Sequence, residues 1–174
     1  MLILNDLCPF QTDLGWMVIC GSERGITRLT FGHLTAEAAL ETAGNWGQDS
    51  IDFEWYSETR DLLQRYAAGE RVTFKEVPVE YSVTTDFQRN VLDELRRIEY
   101  GQSCSYAELA EAAGSPKAAR AVGSVMANNR IPLILPCHRI VGSGGHLGGY
   151  SAPDGLRMKQ RLLAMERSAL ALLE

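Results

Sequence analysis

The sequence predicts an α+β protein in two parts, a strand-rich segment over 1–83 and a helical segment over 84–174. Three observations predict it. Strand-length apolar or alternating runs fall in the first half, at 14–20, 26–31 and 72–79. Apolar residues at helical spacing dominate the second half. Two short helical stretches joined by a glycine-containing turn, 105–114 and 116–128, read as a helix-turn-helix.

The elements follow in order. Residues 14–20 form an apolar strand, 21–25 a turn, and 26–31 an alternating strand, so the pair is expected as a hairpin. Thr35 opens a helical run. Residues 59–68 place Leu62, Leu63, Tyr66 and Ala67 on one helical face, stopped by Gly69. Val72 to Val79 reads as a further strand. A boundary is expected near 81–85, where the pattern changes. Thr85 and Asp86 cap a helix carrying Phe87, Val91, Leu92, Leu95 and Ile98, ended by Gly101. Ser105 and Glu108 make a capping box. Pro116 is expected in the first turn of the next helix. Residues 131–135 are a short buried segment, 142–151 a glycine-rich loop, and 154–163 a closing helix with Leu156, Leu162 and Leu163 facing in.

Composition is that of an ordinary globular protein, with 45% apolar and 22% charged residues. The start, Met1 to Asp6, has no basic region and too little apolar length for a signal peptide. No apolar run approaches a membrane span. Four cysteines without a secretory signal point to free thiols in a reducing compartment. The expectation is a cytoplasmic protein with no membrane partner. The net charge of −5 is unevenly spread. Residues 1–83 hold six Lys/Arg against thirteen Asp/Glu, whereas 84–174 hold eleven against nine. Between Ser115 and Arg161 there are seven basic residues and one acidic residue, Asp154. Such a stripe suits a polyanion, but on charge alone a solvated charged face is the favoured reading.

The chemistry concentrates in Pro136-Cys137-His138-Arg139, which follows the apolar run. A cysteine reacts as its thiolate, and a neighbouring His or Arg favours that form. If the chain continued as a strand, Cys137 and His138 would point to opposite faces. Pro136 makes a turn plausible instead. A histidine base wants an orienting partner, and Glu166 is the candidate. Taken alone, the pair fits a buried structural cysteine, a thiol hydrolase or a metal ligand. The spacing of Cys8, Cys20, His33, Cys104, Cys137, His138 and His146 lacks CxxC or HxxxH, so no metal is expected.

Tyr106 at the start of the helix-turn-helix, Arg120 in its second helix, Asn128-Asn129, Pro-Cys-His-Arg-Ile-Val, and Tyr150-Ser151 occur together. In that combination the chain resembles the O6-alkylguanine-DNA alkyltransferases (methylated-DNA–protein-cysteine methyltransferases). The resemblance is strong over about 85–166 and rests only on pattern before that, through Leu14-Gly15 and the hairpin. It implies a ribonuclease-H-like N-terminal domain and a winged-helix-like C-terminal domain bound in the minor groove of double-stranded DNA. It also implies a flipped base, a single-turnover reaction on O6-alkylguanine, a monomer, and no cofactor. O4-alkylthymine is left open as a second substrate.

By position, the resemblance makes Cys137 the alkyl acceptor, His138 a proton relay through water, Glu166 its orienting group and Asn129 a brace for the turn. Tyr106 turns the nucleotide out and donates to guanine N3, and Arg120 fills the gap left in the duplex. Ala119, Ala121 and Gly123 let the helix approach DNA, and Arg130 contacts it. The base pocket comprises Met126, Tyr150, Ser151, Ala152 and the carbonyls of Cys137 and Ile140, with the Ser151 amide donating to O6. Arg139 supports by pairing or touches substrate, and Cys104 is a bystander.

The chain departs from the family pattern at several points. Ser22 and Thr27 stand where some relatives carry zinc ligands. Glu99 replaces a frequent proline, and Ala127 a phosphate-contacting arginine of some relatives. Ala152 replaces a glycine, which puts tolerance of bulky alkyl groups in doubt.

Overall fold

The computed structural model describes residues 6–44, 46, 50–51, 56–83 and 85–172. The reading of the first five residues lies outside them, as does Thr84 at the expected boundary. The chain divides into two compact units, Met1–Tyr81 and Ser82–Glu174.

The first unit is built on β1 (Asp6–Thr12), β2 (Gly15–Ser22), β3 (Gly25–His33) and β4 (Ser50–Ile51), in the order β3-β2-β1-β4. β2 and β3 form the expected antiparallel hairpin. Met17 and Ile19 are as fully buried as Val18 and Cys20 on the other face. Burial on both faces explains why β2 is a continuous apolar run rather than an alternating one. Helix α1 (Ala36–Ala43), capped by Thr35, packs Ala39 and Ala43 on Leu7, Val18 and Cys20. Helix α2 (Ser57–Ala67) buries Thr59, Leu63, Tyr66 and Ala67, while Leu62 is only half-buried.

One strand goes unread and one expectation fails here, both for backbone reasons. β1 lacks a strand signal because Pro9 interrupts it, since proline cannot donate to a ladder. It is tolerated because the described β4 pairing reaches only Asp6 and Leu7. Conversely, Val72 to Val79 is not a strand. Pro78 removes a donor, Val77 turns back onto the Phe74 carbonyl, and one bridge, Ile26 to Val79, remains. The apolar spacing still reports burial: Val72, Phe74 and Val77 are inside, with Phe74 against the Tyr66 ring at 5.7 Å.

The second unit holds α3 (Asp86–Arg97), α4 (Tyr106–Ala112), α5 (Ala119–Ala127) and α6 (Gly155–Ala171), with a short parallel pair of β5 (Cys104–Ser105) and β6 (Ile140–Val141). Capping boxes are present at Thr85/Gln88 and Ser105/Glu108. α3 stops at Arg97, four residues before Gly101, because Ile98 is extended with its carbonyl drawn to Arg139. Pro116 lies in the inter-helix turn, and α5 begins at Ala119 without a side-chain cap. α6 runs past Leu163 to Ala171. Leu162 and Leu163 face in as expected, Leu156 is 46% exposed, and Met158, Lys159 and Glu166 are buried as well.

Candidate active site

The site grows from a tight reversal ahead of Cys137. Leu133 adopts a left-handed backbone (φ 70°), and Leu135 NH returns to the Ile131 carbonyl at 2.9 Å. Asn129 braces this turn from both sides. Its Nδ2 donates to the Leu135 carbonyl at 2.8 Å and its Oδ1 accepts from Ile131 NH at 3.0 Å. Cys137–Arg139 then form a single 3₁₀ turn rather than a strand, so the opposed-face geometry does not arise.

Cys137, His138 and Arg139 are all buried. His138 Nε2 lies 2.8 Å from Glu166 Oε1, and both side chains are fully enclosed. Glu166 sits well inside α6 rather than at its end. Arg139 grips the same carboxylate, with Nε 3.0 Å from Oε2 and Nη2 2.9 Å from Oε1. Its Nη1 donates to the Ile98 carbonyl at 2.7 Å, and its guanidinium lies over the Tyr100 ring. Gly101 NH donates to Glu166 Oε2 at 2.9 Å. Gly101 is left-handed (φ 79°), a conformation that favours glycine, and a side chain there would also press on Leu170. Arg139 is therefore a buried pairing residue.

The electrostatics follow from burial. Burial pushes the Cys137 thiol up, offset in part by the Asn129 side chain, the Lys159 charge and nearby amides. Burial lowers His138, and Glu166 offsets this only in part. Burial alone would raise Glu166, but His138 and Arg139 hold it well below the carboxylate range. The resting site is thus a protonated thiol near a neutral imidazole oriented by a carboxylate.

Tyr106 lies between two glycine positions. A Cβ on Gly148 would come within 2.7 Å of its hydroxyl, and one on Gly123 within 3.9 Å of its ring. Burial and the Cys137 charge raise its pKa, which keeps the phenol a donor. Burial and the charges of Cys137 and Glu166 raise Tyr150 further, and its hydroxyl has no hydrogen-bond partner among the described residues. Met126 is buried, Ala152 half-buried and Ser151 exposed. On α5, Arg120 and Ala121 are exposed and Ala119 half-buried; Arg130 beyond it is exposed.

The chain matches one family along nearly all its length. Residues 86–168 match the DNA-binding domain of 6-O-methylguanine DNA methyltransferase, and residues 9–81 match its ribonuclease-like domain. The constitutive methylated-DNA–protein-cysteine methyltransferase of Bacillus subtilis is 40% identical over 164 residues, 94% of this chain and 96% of that protein. The chain belongs to the 6-O-methylguanine DNA methyltransferase family. A Mycobacterium tuberculosis relative, also named methylated-DNA–protein-cysteine methyltransferase, is 43% identical over 159 residues, 91% of this chain and 90% of that protein. The crystal structure of the M. tuberculosis O6-methylguanine methyltransferase superposes with a TM-score of 0.79 at 32% identity, covering 98% of this chain and 100% of that one. M. tuberculosis OGT in complex with DNA gives 0.76 at 33% identity, covering 94% of each chain.

Within this methyltransferase family member, Ser22 and Thr27 are engaged in hydrogen bonds. Ser22 Oγ donates to Glu80 at 3.3 Å and Thr27 Oγ1 to the Cys20 carbonyl at 3.1 Å. Lys159 is the residue that sequence reasoning missed. It is fully buried, and its ammonium donates to the Ile140 carbonyl at 2.5 Å and to the Leu147 carbonyl. Its signal was weak, one lysine among the three arginines of an amphipathic run.

Proposed function

We propose that this protein repairs double-stranded DNA by moving the alkyl group of O6-alkylguanine irreversibly to Sγ of Cys137. One observation carries the reading: in a chain of this family, a buried cysteine adjoins an imidazole whose Nε2 is bound by an ionised carboxylate. The Cys137 proton passes through a bridging water to His138. With Nε2 bound to Glu166, the relay falls to Nδ1. Sulfur attacks the alkyl carbon in line, the carbon–O6 bond breaks, and its electron pair stays on guanine. Donors must meet that charge. Tyr106 supplies a proton at N3 and the Ser151 amide a hydrogen bond at O6. The proton held by His138 restores the phenol through solvent.

The base reaches sulfur only outside the stack, so the nucleotide is flipped. Tyr106 turns it out, Arg120 fills the gap, and the small residues of α5, Ala119, Ala121 and Gly123, let that helix enter the minor groove. Arg130 anchors a phosphate. Met126, Tyr150 and Ala152 line the base, and the carbonyls of Cys137 and Ile140 accept from its exocyclic amine. Cys137 O already takes Ile140 NH, and Ile140 O takes Lys159, so each reads the base with its second lone pair. Among the described residues no helix is long and apolar enough to cross a membrane. The protein acts as a cytoplasmic monomer and is consumed, since nothing in the site cleaves a thioether.

The test is mass spectrometry of intact protein and peptides after mixing with a duplex holding one O6-methylguanine. One methyl on Cys137, with a stoichiometric end point, is expected. Cys137→Ser should bind the duplex and gain no mass. Binding without any adduct on the wild-type chain would make it a lesion-binding protein instead.

A further inference from the structure

Lys159 has no place in the scheme above, yet it is among the largest fully buried side chains. Burying an ammonium is costly unless it is paired and hydrogen-bonded. Here both hydrogen bonds go to neutral carbonyls on different segments, Ile140 in β6 and Leu147 in the glycine loop. A neutral donor would serve that purpose more cheaply. Among the described residues no carboxylate forms an ion pair with Lys159, and the sulfur of Cys137 feels its charge only once the thiol has lost its proton.

The surroundings sharpen the point. Tyr106 from α4 and Tyr150 from the glycine loop stay neutral, since burial and the Cys137 charge raise both. Burial holds His138, in the same turn as the sulfur, neutral. Glu166, farther along α6, is matched by Arg139. Lys159 is thus the cation that the sulfur feels as it loses its proton. It also fixes the Ile140 carbonyl, which the alkyl-transfer scheme uses to read the base, against the loop that carries Tyr150 and Ser151.

We propose that Lys159 is a positioning residue for alkyl transfer, pinning the glycine loop to β6 and standing as the fixed countercharge of the attacking Cys137 thiolate. This deepens the alkyl-acceptor reading and rests on it. The staple sets the pocket, and the charge lowers the cost of the nucleophile inside it.

The experiment uses the full chain as wild type, Lys159→Met and Lys159→Gln. Two quantities are read: the pH midpoint for iodoacetamide labelling of Cys137, by peptide mass spectrometry, and the single-turnover rate of methyl transfer from an O6-methylguanine duplex. Both variants should raise the labelling midpoint by about one pH unit, the scale on which a nearby opposite charge acts. Lys159→Met should slow transfer by roughly tenfold or more, with affinity for undamaged duplex unchanged. A merely structural lysine would lower the melting temperature without moving the midpoint. An unchanged midpoint in a variant that still melts cooperatively overturns the proposal. Lys159→Gln, which keeps a donor for the carbonyls, decides the matter if Lys159→Met does not fold. Should wild type take no methyl from the lesion, the alkyl-acceptor reading fails by itself, while the labelling midpoints still report the countercharge.

Discussion

At the residue scale, the His138–Glu166 contact ties chemistry to acid stability. The folded protein holds His138 below its ordinary value of 6.5, so the unfolded chain takes up that proton first as pH falls. Its contribution is complete above 6.5 and is lost below it. Glu166 is also depressed when folded, so its contribution is present above about 4.5 and is lost only in strong acid. Melting temperature should therefore be flat from pH 7.5 to 6.5 and then fall. His138→Gln should flatten the decline between 6.5 and 4.5 and also shrink the more acid part, since Arg139 then holds Glu166 down without the imidazole. His33, which burial also lowers, titrates in the same window but is common to both proteins. Melts at half-unit intervals check this, and equal slopes in both proteins between 6.5 and 4.5 would contradict it. Cys137 and His138 could be proposed as nucleophile and base from the sequence because they are adjacent in the chain. Glu166 was legible only as a candidate, since its contact spans 28 residues.

At the scale of elements, one carboxylate on α6 organises two turns that the sequence keeps apart. Arg139 from the 3₁₀ turn and Gly101 NH from the turn after α3 both bind Glu166, and Arg139 also holds the Ile98 carbonyl. This is why α3 ends early although Ile98 continues the helical spacing. Local spacing reports burial; it does not report a carbonyl recruited by a distant guanidinium. The same limit explains Val72 to Val79, whose side chains are inside while the backbone lacks a ladder. It also explains β1, a paired strand despite Pro9. Removing one partner of a buried pair strands the other charge. Arg139→Met should cost about 3–5 kcal/mol in urea unfolding. Arg139→Met combined with Glu166→Met should cost much less than the sum of the two single changes. Strict additivity would show that the two side chains act independently. The Gly101 amide should exchange faster in either single variant.

At the scale of the whole molecule, the charge asymmetry acquires a use. The acidic balance lies in 1–83, while the basic residues between Ser115 and Arg161 share a unit with the site. Some of them are structural: Arg139 and Lys159 are buried and bind protein groups. Composition could not separate these from the exposed Arg120 and Arg130. The two exposed arginines are assigned different tasks, and salt distinguishes them. A cation on a phosphate releases counterions and contributes about 0.9 to the slope of log affinity against log salt. A side chain occupying a vacated base position contributes little to that slope. Arg130→Ala should therefore reduce the slope by about 0.9 and leave transfer at saturating DNA nearly unchanged. Arg120→Ala should leave the slope within about 0.3 of wild type and slow transfer at saturating DNA, because the flipped state loses its support. Fluorescence anisotropy on an O6-methylguanine duplex across a salt series, in a Cys137→Ser background that cannot take the methyl, gives the slopes, and single-turnover assays give the rates. If Arg120→Ala lowers the slope as much as Arg130→Ala, Arg120 sits on the backbone and another group must fill the gap in the duplex.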